Sequence, residues 1–343
     1  MKSEPSLKEW RILFEAAIRV KEIAPWNWMD ETDIFGVQNP ETEEIGFASV
    51  MGAAGEHYAL SLYLGSKALY NFWDLQDGDP FTAPERVIEI PQLQVAFEDR
   101  KVLTKRDYET IKKLELKFRG AKDWPTFRSY RPGYWPWYLE AEEVRFLIHA
   151  LKQAYEIALR FKKNPSILMQ SDAESYFVRV TTGEKGGSLI WEDRILAIPP
   201  EPLQIPITLD VEDLEKLKHL PQSNYNLEMD IFMFPADIGE KGQRPACPYC
   251  LLIMEAGLNL ILHTDMLMAE PSLEAMWGSI PGHLVFVLTG MGWRPKKIAV
   301  RSDLLAQLLA PLAEQLGFKL IQSKKLRVLD PAKDEMIRFI GPE

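Results

Sequence analysis

Leu227-Glu-Met-Asp-Ile-Phe-Met-Phe234, closed by Pro235, is a short apolar run with one acid, Asp230, at its centre. Its length and its Ile, Phe and Met content predict a mostly buried strand. Asp237 to Pro248 then reads as a loop containing Gly239, Gly242 and two prolines. Cys250-Leu-Leu-Ile-Met-Glu255 and Leu258-Asn-Leu-Ile-Leu-His-Thr264 predict two further strands, joined by a tight turn at Ala256-Gly257. A helix is expected over Ser272 to Gly290, with Pro271 and Ser272 at its start and Glu274 in its first turn. Lys297-Ile-Ala-Val-Arg301 predicts a strand. Ser302 and Asp303 then cap a helix over Leu304 to Leu316, which Gly317 stops. Phe318-Lys-Leu-Ile321 is expected as a last strand, and Asp334 to Phe339 as a terminal helix.

Upstream, Ser6 to Ile23 is amphipathic, with Leu7, Trp10, Leu13, Phe14, Ala17 and Ile18 on one stripe. Ile34–Val37, Ile45–Met51 and Tyr58–Leu64 predict an antiparallel meander, turning at Asn39-Pro40-Glu41 and at Gly52 to Gly55. Helices are expected over Ser66–Leu75, Thr104–Leu116 and Glu140–Lys162, with a loop over Asp77–Pro84. Asn164-Pro165 closes the long helix. A hairpin of Ser175–Val180 and Ser188–Ile198 follows, then a stiff linker from Pro199 to Pro206 with four prolines, then a short helix over Val211–Leu220. The organisation expected is therefore an α+β domain over 1–165 built on an antiparallel meander, a hairpin and Pro-rich linker over 166–205, and an α/β domain over 206–343.

Three strands in a meander, then helix, strand, helix, strand: this order resembles the ribonuclease H-like core, which also houses DDE transposases and retroviral-type integrases. In that family, acids on the first strand and just after the fourth hold divalent metal. The resemblance puts Asp230 and Asp303 at those two places, as metal ligands and catalytic acids, with Glu335 or Asp334 as the third acid of the final helix. Magnesium is the implied metal, because it prefers hard oxygen ligands and works in pairs on phosphoryl groups. Each acid also has an ordinary structural reading. Asp303 is a helix N-cap, Asp230 is a solvent-facing residue of an edge strand or a buried acid paired with an Arg, and Glu335 belongs to a solvated helix face.

A second resemblance runs along most of the chain. Asp33-Ile-Phe-Gly-Val-Gln-Asn-Pro-Glu-Thr42, Ile45-Gly-Phe-Ala-Ser-Val-Met-Gly52, Gly55-Glu-His-Tyr-Ala-Leu60, Ile90-Pro-Gln-Leu-Gln94, Phe97-Glu-Asp-Arg100 and Phe127-Arg-Ser-Tyr-Arg-Pro-Gly133 resemble a bacterial family of two-domain proteins of unknown function. Some of its members carry a Cys-rich zinc motif of the SEC-C type, which this sequence lacks. The resemblance implies no particular activity.

The 343 residues are 46% hydrophobic, enough for two cores. The net charge of −10 argues against a general binder of nucleic acid or anionic membrane, since excess Lys and Arg drive such binding. No run approaches the length of a membrane span, the N-terminus is charged, and two cysteines make no disulfide scaffold, so a cytoplasmic protein is expected.

One segment runs against the acidic balance. Arg100 to Arg131 holds eleven Lys and Arg against four acids, a local charge of +7, and aromatics are interleaved through Tyr138. Arg119, Arg128, Arg131, Trp124 and Tyr130 are the candidate contacts to single-stranded nucleic acid, which takes phosphate neutralisation plus stacking platforms. The competing reading is a long loop pinned to the core, its arginines stacked on aromatics or paired to acids. Cys247-Pro-Tyr-Cys250 has the letters of a glutaredoxin centre, but a loop precedes it and a strand follows, so no helix N-terminus is there to stabilise a thiolate. The five histidines show no metal-ligand spacing, and His149 reads as a core residue. The expected function is a non-enzymatic accessory or binding protein without a cofactor, its partner a protein or single-stranded nucleic acid. The alternative is a divergent nuclease or strand-transfer enzyme, which would require magnesium.

Overall fold

Ser6 opens the first helix, α1 (Leu7–Ile23), with a capping box in which its hydroxyl accepts from Glu9 N while Glu9 reaches back to its amide. The computed structural model describes residues 3–78, 83–169 and 172–340. The chain divides into two units: Met1–Arg131 with Pro136–Pro202, and Pro132–Trp135 with Leu203–Glu343. Each is an α+β unit built on one mixed sheet.

In the first unit, β1 (Phe35–Gln38), β2 (Ile45–Met51) and β3 (Tyr58–Leu64) form the expected meander. After β3 come α2 (Gly65–Asp77) and α3 (Ala83–Glu89), while residues 79–82 of the loop expected over 77–84 lie outside the described residues. The meander then continues through β4 (Gln92–Glu98), α4 (Lys105–Lys113) and β5 (Trp124–Tyr130). The stretch expected as a long loop therefore contains the edge strand β5, where Pro125 is tolerated. Strand β4 pairs with both β3 and β5. Two of its buried residues are polar: Gln94 donates to Ser61 Oγ at 3.0 Å and Gln92 to Val87 O at 3.2 Å. The long helix α5 (Ala141–Lys163) precedes the hairpin β6 (Ser175–Lys185) and β7 (Ser188–Ala197). Strand β6 runs parallel to β1, so the hairpin extends this sheet, whose order is β5-β4-β3-β2-β1-β6-β7. One core contains Leu13, Phe14, Leu62, Leu93 and Leu147, and the other Phe47, Tyr63, Phe72 and Tyr176.

The second unit runs α6 (Val211–His219), β8 (Asn226–Met233), β9 (Tyr249–Glu255), β10 (Leu260–Leu267), α7 (Leu273–Met291), β11 (Lys297–Val300), α8 (Asp303–Leu316), β12 (Lys319–Gln322) and α9 (Leu329–Ile340). Its sheet order is β10-β9-β8-β11-β12, with β8 antiparallel to β9 and parallel to β11. The stretch from Leu227 is thus central and lies beside the strand at Lys297. The sheet is mixed rather than parallel, because β8 to β10 form a meander. The turn joining β9 to β10 is longer than the expected two residues, and Asn259 within it takes φ of 53°. Helix α9 starts earlier than expected, because Pro331 falls in its first turn, where no amide hydrogen is needed.

Side chains alternate across this sheet. Phe232, Cys250, Leu252 and Met254 pack with Met336 and Ile337 of α9. Met229, Leu251 and Ile253 are buried on the opposite face. Helix α7 receives the backbone of the segment that precedes α6 on a glycine-lined side. Thr208 N donates to Gly278 O at 2.9 Å, and a Cβ at Gly278 would stand 2.0 Å from Pro206 O.

Two substitutions in α7 should separate helix propensity from packing. Gly290 has open space around it, so Gly290→Ala should stabilise by up to about 1 kcal/mol. At Gly278 the same change gains that propensity but drives a methyl into a carbonyl. Gly278→Ala should destabilise by roughly 1–3 kcal/mol net in urea melts.

Candidate functional site

Two carboxylates are buried on the same face of β8, and their partners determine what the site is. Glu228 accepts the amides of Arg327, Val328 and Leu329 at 3.0, 2.9 and 3.0 Å, and so holds the start of α9 against the sheet. Asp230, two residues on, is 3% exposed and accepts from Arg301 Nε at 2.9 Å and from Ile231 N at 3.1 Å. Arg301 follows β11 and also binds Asp330, in the first turn of α9, and Lys324 O at 2.8 Å. Burial pushes the Asp230 carboxyl up, and Arg301 and then Lys333 act against that rise. Of the readings open for Asp230, the buried acid paired with an arginine is the arrangement found.

The other two acids lie elsewhere. Asp303 is exposed at the first residue of α8 and accepts from the Gln322 side-chain amide, while Ser302 caps the helix by accepting from Leu305 N at 3.1 Å. Glu335 and Asp334 are exposed on α9, whose Met336 and Ile337 face the core. Asp230, Asp303 and Glu335 therefore do not form one ligand group. Among the described residues, the group of three or more acids, histidines or cysteines that could share a metal is His263, Asp265 and His283, whose ligand atoms all lie within 4.8 Å of one another.

This second group is one that the spacing of the histidines did not disclose. His263 and Asp265 are two apart on β10 and so share a face. Their register partners Ile253 and Leu251 put that face opposite the one that holds Asp230, whose partner is Leu252. A β-bulge between Ile261 and His263 establishes this register. His283 comes from α7, its Nδ1 3.4 Å from Asp265 Oδ2 and its ring centroid 6.3 Å from that of His263. Burial lowers the His283 pKa, and Asp265 pulls against it. His263 Nε2 is buried with no hydrogen-bond partner. The sequence signal was His263-x-Asp265 on a strand; its third member is brought in only by the packing of α7.

Several cations of the basic segment are engaged within the fold, while Lys101, Lys112, Lys113 and Lys117 are exposed. Arg128 makes two hydrogen bonds to Asp107, at 2.9 and 2.6 Å, with its guanidinium 5.1 Å from the Tyr138 ring centroid. Arg131 lies 2.8 Å from Glu140 and 2.7 Å from Glu143. Trp124 is buried beside Phe118, with Arg100 over its ring at 5.8 Å, and the Tyr130 hydroxyl donates to Gln94 at 3.2 Å. Lys122 donates to Gly55 O at 2.6 Å and Glu56 O at 2.9 Å. Arg119 is exposed. Cys247 is buried in the loop before β9 and Cys250 within the strand, so neither thiol has a helix N-terminus, and burial raises the Cys250 pKa. His149 is half-buried, its ring centroid 6.0 Å from that of Trp191.

Two of these interactions make measurable predictions. Glu228→Ala strands three amides, and should cost on the order of 3 kcal/mol in urea melts, with amide exchange rising first at 327–329. Burial works to raise the Asp107 carboxyl, but Arg128 and Thr104 outweigh it and hold it below the usual range. The stability it contributes is present above the unfolded pKa of about 4 and is lost as pH falls through the lower folded value. Asp107→Asn should destabilise at pH 7 and flatten the acid limb of a stability–pH curve below about pH 4.

Residues 10–179 match the family model of a domain of unknown function (DUF7309), and residues 213–337 match that of a second domain of unknown function (DUF6930). No curated protein matches the chain. Among the described residues no helix is long and apolar enough to cross a membrane. The chain is thus built of two domains of unknown function, DUF7309 followed by DUF6930.

Proposed function

We propose that this is a non-enzymatic accessory or binding protein of the bacterial cytoplasm, with a ribonuclease H-like scaffold as its second domain. The order of elements supports the scaffold: a meander, then helix, strand, helix, strand, helix, with the first strand central and beside the fourth. The two domains also support grouping it with the bacterial two-domain proteins whose motifs it resembles.

The observation that carries the non-enzymatic reading is the Arg301 guanidinium, 2.9 Å from the Asp230 carboxylate. A fixed cation already neutralises the acid that would have to hold a divalent metal. Two metals on a phosphoryl group need several converging carboxylates, whereas Asp303 and Glu335 are exposed and engaged elsewhere or turned outward. Arg128 and Arg131 are committed to acids, Lys122 to carbonyls and Arg100 to rings, which at those positions favours a protein partner over single-stranded nucleic acid.

The test is magnesium- or manganese-dependent cleavage of single- and double-stranded DNA and RNA. No cleavage above that of Asp230→Asn is expected. Metal-dependent cleavage by the wild type that disappears in Asp230→Asn would restore the nuclease reading, with Asp230, Asp303 and Glu335 as its acids.

A further inference from the structure

The group on β10 and α7 offers two imidazoles and one carboxylate, and its geometry is not that of a simple ion pair. An Asp265–His283 pair would account for their 3.4 Å contact but not for the third member. His263 stands beside them, and its Nε2 is buried without a partner. A buried nitrogen left unpaired is costly, and few such atoms survive in native folds without a reason.

We propose that His263, Asp265 and His283 bind a divalent transition-metal ion of the zinc class, with a further coordination position left to water or to an incoming ligand. Two imidazoles and a carboxylate suit zinc, cobalt, nickel or copper rather than magnesium or calcium, which take oxygen. Metal–ligand bonds of about 2.0–2.2 Å place tetrahedral ligand atoms roughly 3.3–3.6 Å apart. Asp265 and His283 already have that spacing, and the whole group lies within 4.8 Å, so side-chain rotations close the remainder. Asp265 is 43% and His283 27% exposed, which gives the ion a route in. Three protein ligands are one fewer than a closed structural zinc site uses, which leaves a fourth position for water or an incoming ligand. The site lies on the opposite face of the sheet from Asp230, and the inference stands apart from the accessory-protein reading.

The test uses the full chain, stripped with chelator and titrated with cobalt(II), then with zinc. The expected result is one equivalent of cobalt per chain with a visible ligand-field band that zinc bleaches. His263→Ala and His283→Ala should each weaken binding by more than about tenfold. Asp230→Asn and His149→Ala should bind as the wild type does, as should a variant carrying Cys247→Ser with Cys250→Ser. Thermal melts of the stripped variants guard against misfolding: zinc should raise Tm in the wild type and in Asp230→Asn but not in His283→Ala. The proposal is overturned if the wild type binds no stoichiometric metal, if neither histidine substitution weakens binding, or if only the cysteine variant loses it. Because Asp230→Asn leaves this readout unchanged, failure here and failure of the nuclease test are distinguishable.

Discussion

Charge buried in the middle of a sheet is the constraint on which the second unit depends. Strand β8 is central, with β9 on one side and β11 on the other, yet it carries Glu228 and Asp230 on one buried face. An ionised carboxylate taken from water without partners is too costly to keep. The fold meets this by bringing in donors from distant parts of the chain. Three consecutive amides at the start of α9 satisfy Glu228, and Arg301, just after β11, satisfies Asp230 and reaches on to Asp330. The same few bonds thereby fix the entry of α9, the exit of β11 and the register between them. Apolar contacts of Phe232, Leu252 and Met336 supply the burial, but the carboxylates select this one arrangement of it.

The two faces of this sheet carry different chemistry. On the α9 side the acids are matched internally and the cation is part of the protein. On the α7 side, His263, Asp265 and His283 leave one nitrogen unmatched. Strand alternation keeps the two apart, although Asp230 and Asp265 belong to the same sheet.

What could be read from the sequence follows from how far each signal reaches. Strands β2 and β3 have apolar runs bounded by turn residues, and both matched the expected bounds. Helices α1, α4, α7 and α8 announced themselves through Ser6, Thr104, Ser272 and Ser302, because a cap is a local hydrogen bond. Strand β4 was hidden because its buried Gln92 and Gln94 are polar and find their partners only after folding. Strand β5 was hidden by Pro125 and by Arg128, whose partner Asp107 lies on another element. At the site, Asp230 was open between a metal ligand, a solvent-facing residue and a buried acid paired with an arginine, and only the fold selects the last. Of the three-residue group only His263-x-Asp265 left a local trace, since no local pattern specifies which helix packs over β10.

The bulge in β10 has a consequence for the whole molecule in a crowded solution. Strand β10 is an edge of the sheet, and its Leu260, Ile261 and Met266 are exposed. A flat, regular edge with such residues is a template on which a neighbouring chain adds a strand, and repeated addition leads to fibrils. The register shift between Ile261 and His263 breaks the regular ladder in the middle of that edge and increases its local twist. A foreign strand would lose register at that point, so the irregularity that aims a histidine also works against edge-to-edge addition of a second chain.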